Sequence, residues 1–589
     1  ARAADALEQA AEVAVSRVSY RAAEDLLTRA VRLRQALGNG LAEQRAELAF
    51  AEAPDAERRY RSEVVRVCGR VGVPVPAPSG DRVRVHTGGA VFAFEAPFDV
   101  MLAYTEVAEL AAIAASEAPN PALEDEAISR IVAQFAAEAC PALLEFLAAG
   151  AARGVPVLAD DDGVSVGLGV HSVYYARTEI PPVDGGPTWT AAGTIPIALI
   201  TGTNGKTTSS RLLAHVAGKA GFTVGATSTD GVLVGGVLQE KGDWTGPAAA
   251  REVLRNRAVD FAVLETARGG ILRRGLALAA CDVALLTNVS GDHLGDYGIE
   301  DVPQMAEAKA VIADGAKCVV VNGADPVLLA LAAKRPWGAP ETLVLFADFS
   351  GVDAERVAES ERAIAAHREA GGRFVVARDG AVYAGSGAAE ELLFADSLAP
   401  ITFGGAARYN VENVLGVVAA SRALGLPSSA IAEGVATFGA AENPGRGTLV
   451  AKGDARIFLD FGHNPDGVRA LIPLVAALRG ASGLTVIAGL AGDRSDEDVA
   501  AVAAAIVAMG PDRVYVRELE RYLRGRELGE ISELFAKEFA HHPAVAFARA
   551  TSEVDALQRA VAAARGEKGH LVLLLVHVDH DPVAAYLAD

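Results

Sequence analysis

From Ile195 onward the chain repeats one rhythm: a short apolar run, a few polar residues, then a helical stretch. The apolar runs are Ile195 to Ile200, Phe261 to Leu264, Val283 to Leu286 and Cys318 to Val321, and polar residues close each of them. This alternation predicts a mostly parallel sheet covered by helices, with ligands at the carboxyl ends of the strands. A second block of the same kind begins near Arg446, with strands predicted at Ile457 to Phe461, Leu484 to Ala488, Arg513 to Val516 and Leu571 to Val576. Before Ile195 the pattern differs. Residues 1 to about 150 read as largely helical, as in Ala122 to Ala149, around one alternating stretch, Arg82 to Phe94, that turns at Gly88-Gly89. Pro181 to Ile195 is rich in glycine and proline and reads as a linker.

Composition narrows the picture. A chain of 589 residues should form several domains, and 51% apolar with 22% charged residues is an ordinary globular balance. A net charge of −21 argues against a broad nucleic-acid or anionic-membrane surface. It leaves room for a local basic pocket that takes an anionic nucleotide. The four cysteines, Cys68, Cys140, Cys281 and Cys318, are far apart and form no CxxC pair, so neither a zinc site nor a disulfide framework is expected. No run of eighteen apolar residues is present, and ARAADALEQAAEV at the start has early acids and no signal-peptide core. The expected location is cytoplasmic.

The strongest chemical motif is Gly202-Thr203-Asn204-Gly205-Lys206-Thr207-Thr208, directly after a predicted strand and before a helical run. Glycines let backbone N–H groups close around phosphates, and a helix N-terminus adds a favourable field. Lys206 would reach the terminal phosphates of ATP, and the Thr207 hydroxyl would sit on Mg²⁺. Three further signals follow in order: Glu265 at the end of FAVL, Thr287-Asn288 at the end of VALL, and Asp292-His293-Leu294. A carboxylate at a strand end beside a phosphate loop suits Mg²⁺, which prefers hard oxygen ligands.

The shortened loop G-T-N-G-K-T-T resembles that of the Mur ligase family. The resemblance implies a Mur-ligase-type P-loop central domain and a Rossmann-like C-terminal α/β domain, here preceded by a mostly helical α+β N-terminal domain. The expected limits are residues 1–190 for the N-terminal domain with its linker, 191–445 and 446–589. It also implies magnesium-binding roles for Glu265 and His293, and for Lys309 in MAEAK the place of a lysine that is carbamylated in many such enzymes. Asn410-Val411-Glu412-Asn413 resembles the family's NxxN, whose second asparagine faces adenine. Pro444-Gly445-Arg446 resembles its hinge motif, whose arginine reaches the nucleotide on closure. Asp460-Phe461-Gly462-His463-Asn464-Pro465 resembles D-Y-A-H-x-P, whose aspartate contacts the ribose, and Gly492-Asp493-Arg494 matches a further family motif. The implied catalytic set is Lys206, Glu265, His293, Lys309 and Arg446; the implied metal set is Thr207, Glu265, His293 and Lys309.

Other stretches are more particular. Thr229-Asp230-Gly231, Glu240 to Asp243 with Thr245-Gly246-Pro247, Glu265-Thr266-Ala267-Arg268-Gly269-Gly270, and Leu523-Arg524-Gly525-Arg526 are similar to the Mur-like half of cyanophycin synthetases. That half adds arginine to an aspartate side-chain carboxylate. Residues 1 to about 170 resemble the N-terminal region of the same enzymes, but only about 30 residues then separate it from the P-loop, where those enzymes carry an ATP-grasp domain. The implied function is an ATP- and Mg²⁺-dependent ligase that joins a carboxylate to an amino acid through an acyl phosphate, making a single ligation. Thr229, Asp230, Arg268, Arg524 and Arg526 are the candidate substrate residues. The alternative is a nucleotide-binding partner or regulatory subunit of a separate ATP-grasp ligase. A homo-oligomer, with a dimer as one form, is expected.

Overall fold

The computed structural model describes residues 53–76, 83–86, 89–92, 96–116, 121–184, 189–292, 294–295, 299–351 and 353–588. The chain divides into two compact units, Ala1–Ala149 with Ile180–Asp184, and Gly150–Glu179 with Gly185–Asp589. No single described helix is long and apolar enough to cross a membrane.

The first unit is helical around one hairpin. Helices Ala53–Val71, Met101–Ser116 and Pro121–Glu138 bury Val67, Cys68, Tyr104, Val107 and Ile131 against one another. Strands β1 (Val83–His86) and β2 (Gly89–Phe92) pair antiparallel with His86 opposite Gly89, so the alternation between Arg82 and Phe94 is a hairpin; residues 87–88 lie outside those described. Glu124 is buried, and Arg66 and Arg70 donate to it at 2.5 and 2.6 Å. The Arg66 hydrogen bond outweighs burial and holds its carboxyl below the usual range.

The second unit opens with a small antiparallel sheet of β3 (Val157–Ala159), β4 (Gly163–Val166) and β5 (Val173–Ala176). Sequence placed these residues with 1–190, yet they pack on the strands and helices beyond Ile195. Leu158 and Leu168 share a core with Ile197, Leu199 and Val253. Arg255 donates to the Leu158 carbonyl and to Ser165 Oγ, both at 3.2 Å, and pairs with Asp160.

The large sheet has eleven strands, whose ranges are β6 Ile197–Thr201, β7 Val224–Ser228, β8 Gly231–Val234, β9 Val237–Lys241, β10 Phe261–Glu265, β11 Cys281–Leu286, β12 Ala316–Asn322, β13 Leu343–Asp348, β14 Arg373–Arg378, β15 Ala381–Ser386 and β16 Ala389–Ala395. Their order is β16-β15-β14-β13-β12-β11-β6-β10-β7-β8-β9. The central seven, β14 to β7, run parallel, and an antiparallel hairpin extends each edge. A strand buried on both faces must be apolar at every position, as β6 is. Ile197 and Leu199 enter one core while Ala198 and Ile200 enter the other. Helices Lys206–Lys219, Arg408–Ala423 and Ser428–Thr437 cover the second face through Leu212, Val216, Val414, Leu415 and Ile431. Helices Pro247–Arg255 and Val302–Ala310 cover the first through Val253, Leu254 and Met305. Each fully buried Leu or Ile contributes about 1.5–3 kcal/mol.

The last block is a six-stranded sheet of β17 (Thr448–Lys452), β18 (Ala455–Asp460), β19 (Leu484–Ala488), β20 (Arg513–Arg517), β21 (Ala546–Ala550) and β22 (His570–Leu575), ordered β17-β18-β22-β19-β20-β21. All its pairs are parallel except β17–β18. At its carboxyl edge lies a buried polar cluster. Arg517 pairs with Glu553, both almost wholly excluded from solvent, and Glu553 also accepts the backbone N–H groups of His577 at 2.6 Å and Asp579 at 2.7 Å. His577 accepts at Nδ1 from Arg517 (3.1 Å) and donates from Nε2 to the Gly462 carbonyl (3.3 Å), which defines a neutral tautomer.

Burial, reinforced by the Arg517 and His463 charges, holds the His577 pKa well below that of a free imidazole. The unfolded chain takes up a proton near pH 6.5 while the folded chain resists it, so stability should fall as pH drops below that value. Denaturant titrations of the parent and His577→Gln from pH 7.5 to 5.5 should show a shallower decline in the variant; equal slopes would remove His577 from that pH dependence.

Candidate active site

The sheet has its reversal of strand order at β6. The chain leaves β6, passes over to β7, and returns to β10 between them, while β11 lies on the opposite side of β6. That topology opens a crevice at the carboxyl ends of β6, β10 and β11. Register places Glu265 beside Ile200 and Leu286 beside Thr201, so Glu265 and Thr287-Asn288 arrive at the level where the glycine loop begins.

The loop is tied down from the β11 side. Thr203 N–H donates to the Asn288 carbonyl (2.8 Å), Asn204 N–H to Asn288 Oδ1 (2.9 Å), and Thr287 Oγ1 to the Asn204 carbonyl (2.7 Å). Gly202 and Gly205 have φ of +154° and +83°. A Cβ on Gly202 would meet Thr287 Oγ1 at 1.8 Å, and one on Gly205 would meet Asn413 Oδ1 at 2.2 Å. Only glycine fits either place. Gly205 starts the helix Lys206–Lys219 without a side-chain cap, so the helix presents its first N–H groups to whatever anion the loop encloses.

Two lysines converge on one carbonyl. Lys206 Nζ donates to the carbonyls of Gly202 (2.9 Å) and Thr203 (3.0 Å), and Lys309 Nζ donates to the same Gly202 oxygen (3.0 Å). Burial lowers the pKa of Lys206, with Glu265 and Asp292 opposing. Lys309, 5% exposed, is driven well below the usual ammonium range, first by burial and then by the Lys206 charge; Arg268 acts in the same direction and Asp292 against it.

Glu265 is buried, and burial raises its pKa against the pull of Lys206 and Arg446. Its Oε1 accepts from Thr207 Oγ1 at 3.2 Å, while its Oε2 is buried with no protein hydrogen-bond partner. A buried carboxylate oxygen of this kind asks for a cation, and a hydroxyl and a carboxylate are the hard donors Mg²⁺ takes alongside phosphate oxygens. The residues fit the ion. His293, assigned to the same site from sequence, lies outside the described residues.

The remaining candidates fall into two groups. Around the loop, Thr229 Oγ1 lies 3.3 Å from Thr207 Oγ1 and accepts from Arg446 at 3.4 Å. The Arg446 guanidinium stacks 4.3 Å over the Phe461 ring. Thr208 meets Asn443 at 3.5 Å, and Asn413 donates to Asn410 Oδ1 at 3.1 Å. Asp460 accepts the N–H groups of Phe461 (2.8 Å), Gly462 (3.1 Å) and Gly447 (3.1 Å), and burial pushes its pKa up. Arg268 opens the helix Arg268–Arg274 and is half-buried. Arg524 and Arg526 instead engage their own domain. Arg524 pairs with Asp493. Arg526 donates to the carbonyls of Gly492 (3.0 Å) and Arg494 (2.8 Å) and to Asp496 (2.7 Å).

Sequence reasoning missed Arg211. It donates to Asp230 (2.6 Å), to Asn443 Oδ1 (3.2 Å) and to the Pro444 carbonyl (3.3 Å), joining the Thr229-Asp230 loop to the hinge segment. Its position four residues after Thr207, on the same helix face, was the available signal. Sequence also gave no partner for Asp292. In the fold Arg494 pairs with it, Asn464 Nδ2 donates to it at 3.2 Å, and His463 Nε2 lies 3.5 Å away.

Comparison with known proteins agrees with this geometry. Residues 200–421 match the profile of the Mur ligase middle domain and residues 445–575 that of the Mur ligase glutamate ligase domain, together more than half of the chain. A cyanophycin synthetase of Synechocystis sp. is 38% identical over 385 residues, covering 64% of this chain and 42% of that protein. One of Geminocystis herdmanii is 36% identical with the same coverage. A UDP-N-acetylmuramoyl-L-alanyl-D-glutamate–2,6-diaminopimelate ligase of Gloeobacter violaceus is 26% identical over 59% of this chain and 63% of its own. The chain therefore spans less than half the length of the cyanophycin synthetases it matches. With the Gly202–Thr208 loop, the strand-end Glu265 and Arg446 meeting at one crevice, and with both matched domains present in order, the chain belongs to the Mur ligase family.

Proposed function

We propose that this protein is an ATP- and Mg²⁺-dependent ligase that joins a substrate carboxylate to the amine of an amino acid. The observation that carries the reading is the convergence of Lys206, Lys309 and the orphan Oε2 of Glu265 on the mouth of an uncapped helix. The Lys206 side chain and the open N–H groups there face one place, where a terminal phosphate would lie.

In the first step a carboxylate oxygen attacks the γ-phosphorus of ATP, the bond to the bridging oxygen breaks, and ADP leaves with that electron pair. The acyl phosphate so formed is then attacked at carbon by the amine, which loses a proton as inorganic phosphate departs. The residues chiefly position groups and neutralise charge. Lys206 would hold the terminal phosphates, Arg446 would approach them from the hinge, Asn413 would face the adenine, and Asp460 would take the ribose. Mg²⁺, held by Thr207 and Glu265 with His293 and a carbamylated Lys309 as further ligands, would offset the negative charge of the transferring phosphoryl group. Arg268, beside Lys309, is the stronger candidate for the substrate carboxylate, with Thr229 and Asp230 across the crevice.

The relatives named cyanophycin synthetase point to an aspartyl-type carboxylate and a basic amino acid as the substrate class. A single P-loop, with no ATP-grasp segment between the N-terminal residues and it, favours one type of ligation, because a site built of buried polar groups seldom accepts two different carboxylates. Purified protein with ATP, Mg²⁺ and a short aspartyl peptide should release ADP on addition of arginine or another amino acid, and the peptide should gain one residue by mass. Insoluble Asp–Arg polymer made by the chain alone would overturn the single ligation. Nucleotide binding without ADP release across amino acids would favour the subunit reading instead.

A further inference from the structure

The two domains of the second unit meet through polar side chains as well as through the apolar contact of Phe403 with Phe458. Asp292 follows β11 in the middle domain, and Arg494 follows β19 in the C-terminal domain. Their ion pair is 9% and 6% exposed. The second oxygen of Asp292 takes the Asn464 amide at 3.2 Å. Asn464 and Asn204 exchange amide hydrogen bonds at 3.0 and 3.3 Å, so the contact reaches into the phosphate loop itself. From the C-terminal side the loop carrying Arg494 is preset by Arg526, which donates to the carbonyls of Gly492 and Arg494.

We infer that Arg494 is a positioning residue, latching the C-terminal domain shut over the phosphate loop by pairing with Asp292. A guanidinium and a carboxylate buried together satisfy one another, and removing either leaves the other less well compensated in the closed interface. The pair therefore discriminates between a fully seated interface and a misaligned one, the registry role best attested for buried ion pairs. Seating has a direct consequence under the ligase reading, on which this inference rests: the Asn204–Asn464 bonds bring Asp460 and the hinge arginine Arg446 to the loop in the same movement. Arg526 shapes the latch through its bonds to the Gly492 and Arg494 carbonyls.

The test uses the full chain with Mg²⁺ and a non-hydrolysable ATP analogue, with compaction read by small-angle scattering and stability by denaturant titration. The parent should be compact. Arg494→Gln and Asp292→Asn should each be more expanded, Arg494→Lys should recover part of the compaction, and the double variant Asp292→Asn/Arg494→Gln should lie closer to the parent than either single change. In turnover, each single variant should lose at least about tenfold in kcat with little change in the KM for ATP, because the loop and Lys206 remain. Equal compaction of all variants, or single losses that simply multiply in the double variant, would overturn the latch. A chain that releases no ADP under any condition would count against the ligase reading, and the scattering series would still decide the latch.

Discussion

Lys206→Ala should lower ADP formation roughly a thousandfold or more while the protein stays folded. The magnitude is that of removing one preorganised group aimed at developing charge. Among the described residues Lys206 bonds only backbone carbonyls, those of Gly202 and Thr203, and burial already disfavours its charge, so its removal costs the fold little. The loop keeps its anchors through Asn288 and Thr287. Circular dichroism and the denaturation midpoint should match the parent, nucleotide affinity by calorimetry should weaken, and turnover should collapse. Near-normal turnover would mean that the nucleotide lies elsewhere.

Lys309→Ala should cost about a hundredfold or more in turnover, and small carboxylates such as acetate should restore part of it. Two ammonium groups sharing the Gly202 carbonyl repel one another, and burial with the Lys206 charge brings Lys309 far below the ordinary lysine range. The free amine is the form carbon dioxide needs, and burial favours that form: a C–N bond forms, the nitrogen loses a proton, and the carbamate replaces the repulsion with an anion. Because only the free amine reacts, activity should fall as pH is lowered and rise with added bicarbonate. A crystal structure with nucleotide should show the extended side chain. An unaffected variant, with no response to bicarbonate, would remove Lys309 from the mechanism.

Legibility in this chain tracks burial only in part. The strands β6, β10, β11, β18, β19, β20 and β22 stand at or within two residues of the apolar runs that announced them, because a strand covered on both faces has no polar position to confuse the reading. The edge hairpins were not legible. Every residue of β9, VLQEK, is exposed, and β16, AEELLFA, is mostly so, hence no face imposes a pattern on them. β7, VGATS, and β13, LVLFAD, are fully buried and were nevertheless not predicted. The P-loop, the strand-end glutamate and the hinge triplet were readable since each is a local string whose chemistry depends on adjacent residues.

Contacts between distant strings were decided by the tertiary structure. Lys309 and Lys206 lie about 100 residues apart, and only the β6–β11 neighbour relation brings both to one oxygen. Arg494 reads as part of a motif until it is found buried against Asp292, 202 residues away. Arg524 and Arg526 stand in one short string, and only the fold shows that Arg524 pairs with Asp493 while Arg526 donates to Gly492 and Arg494. Sequence by itself determined which residues can ionise and which apolar runs form buried strands, because those are properties of single positions and short periods. The tertiary structure alone decided which charges face one another, because a pairwise energy depends on a distance that no string of residues contains.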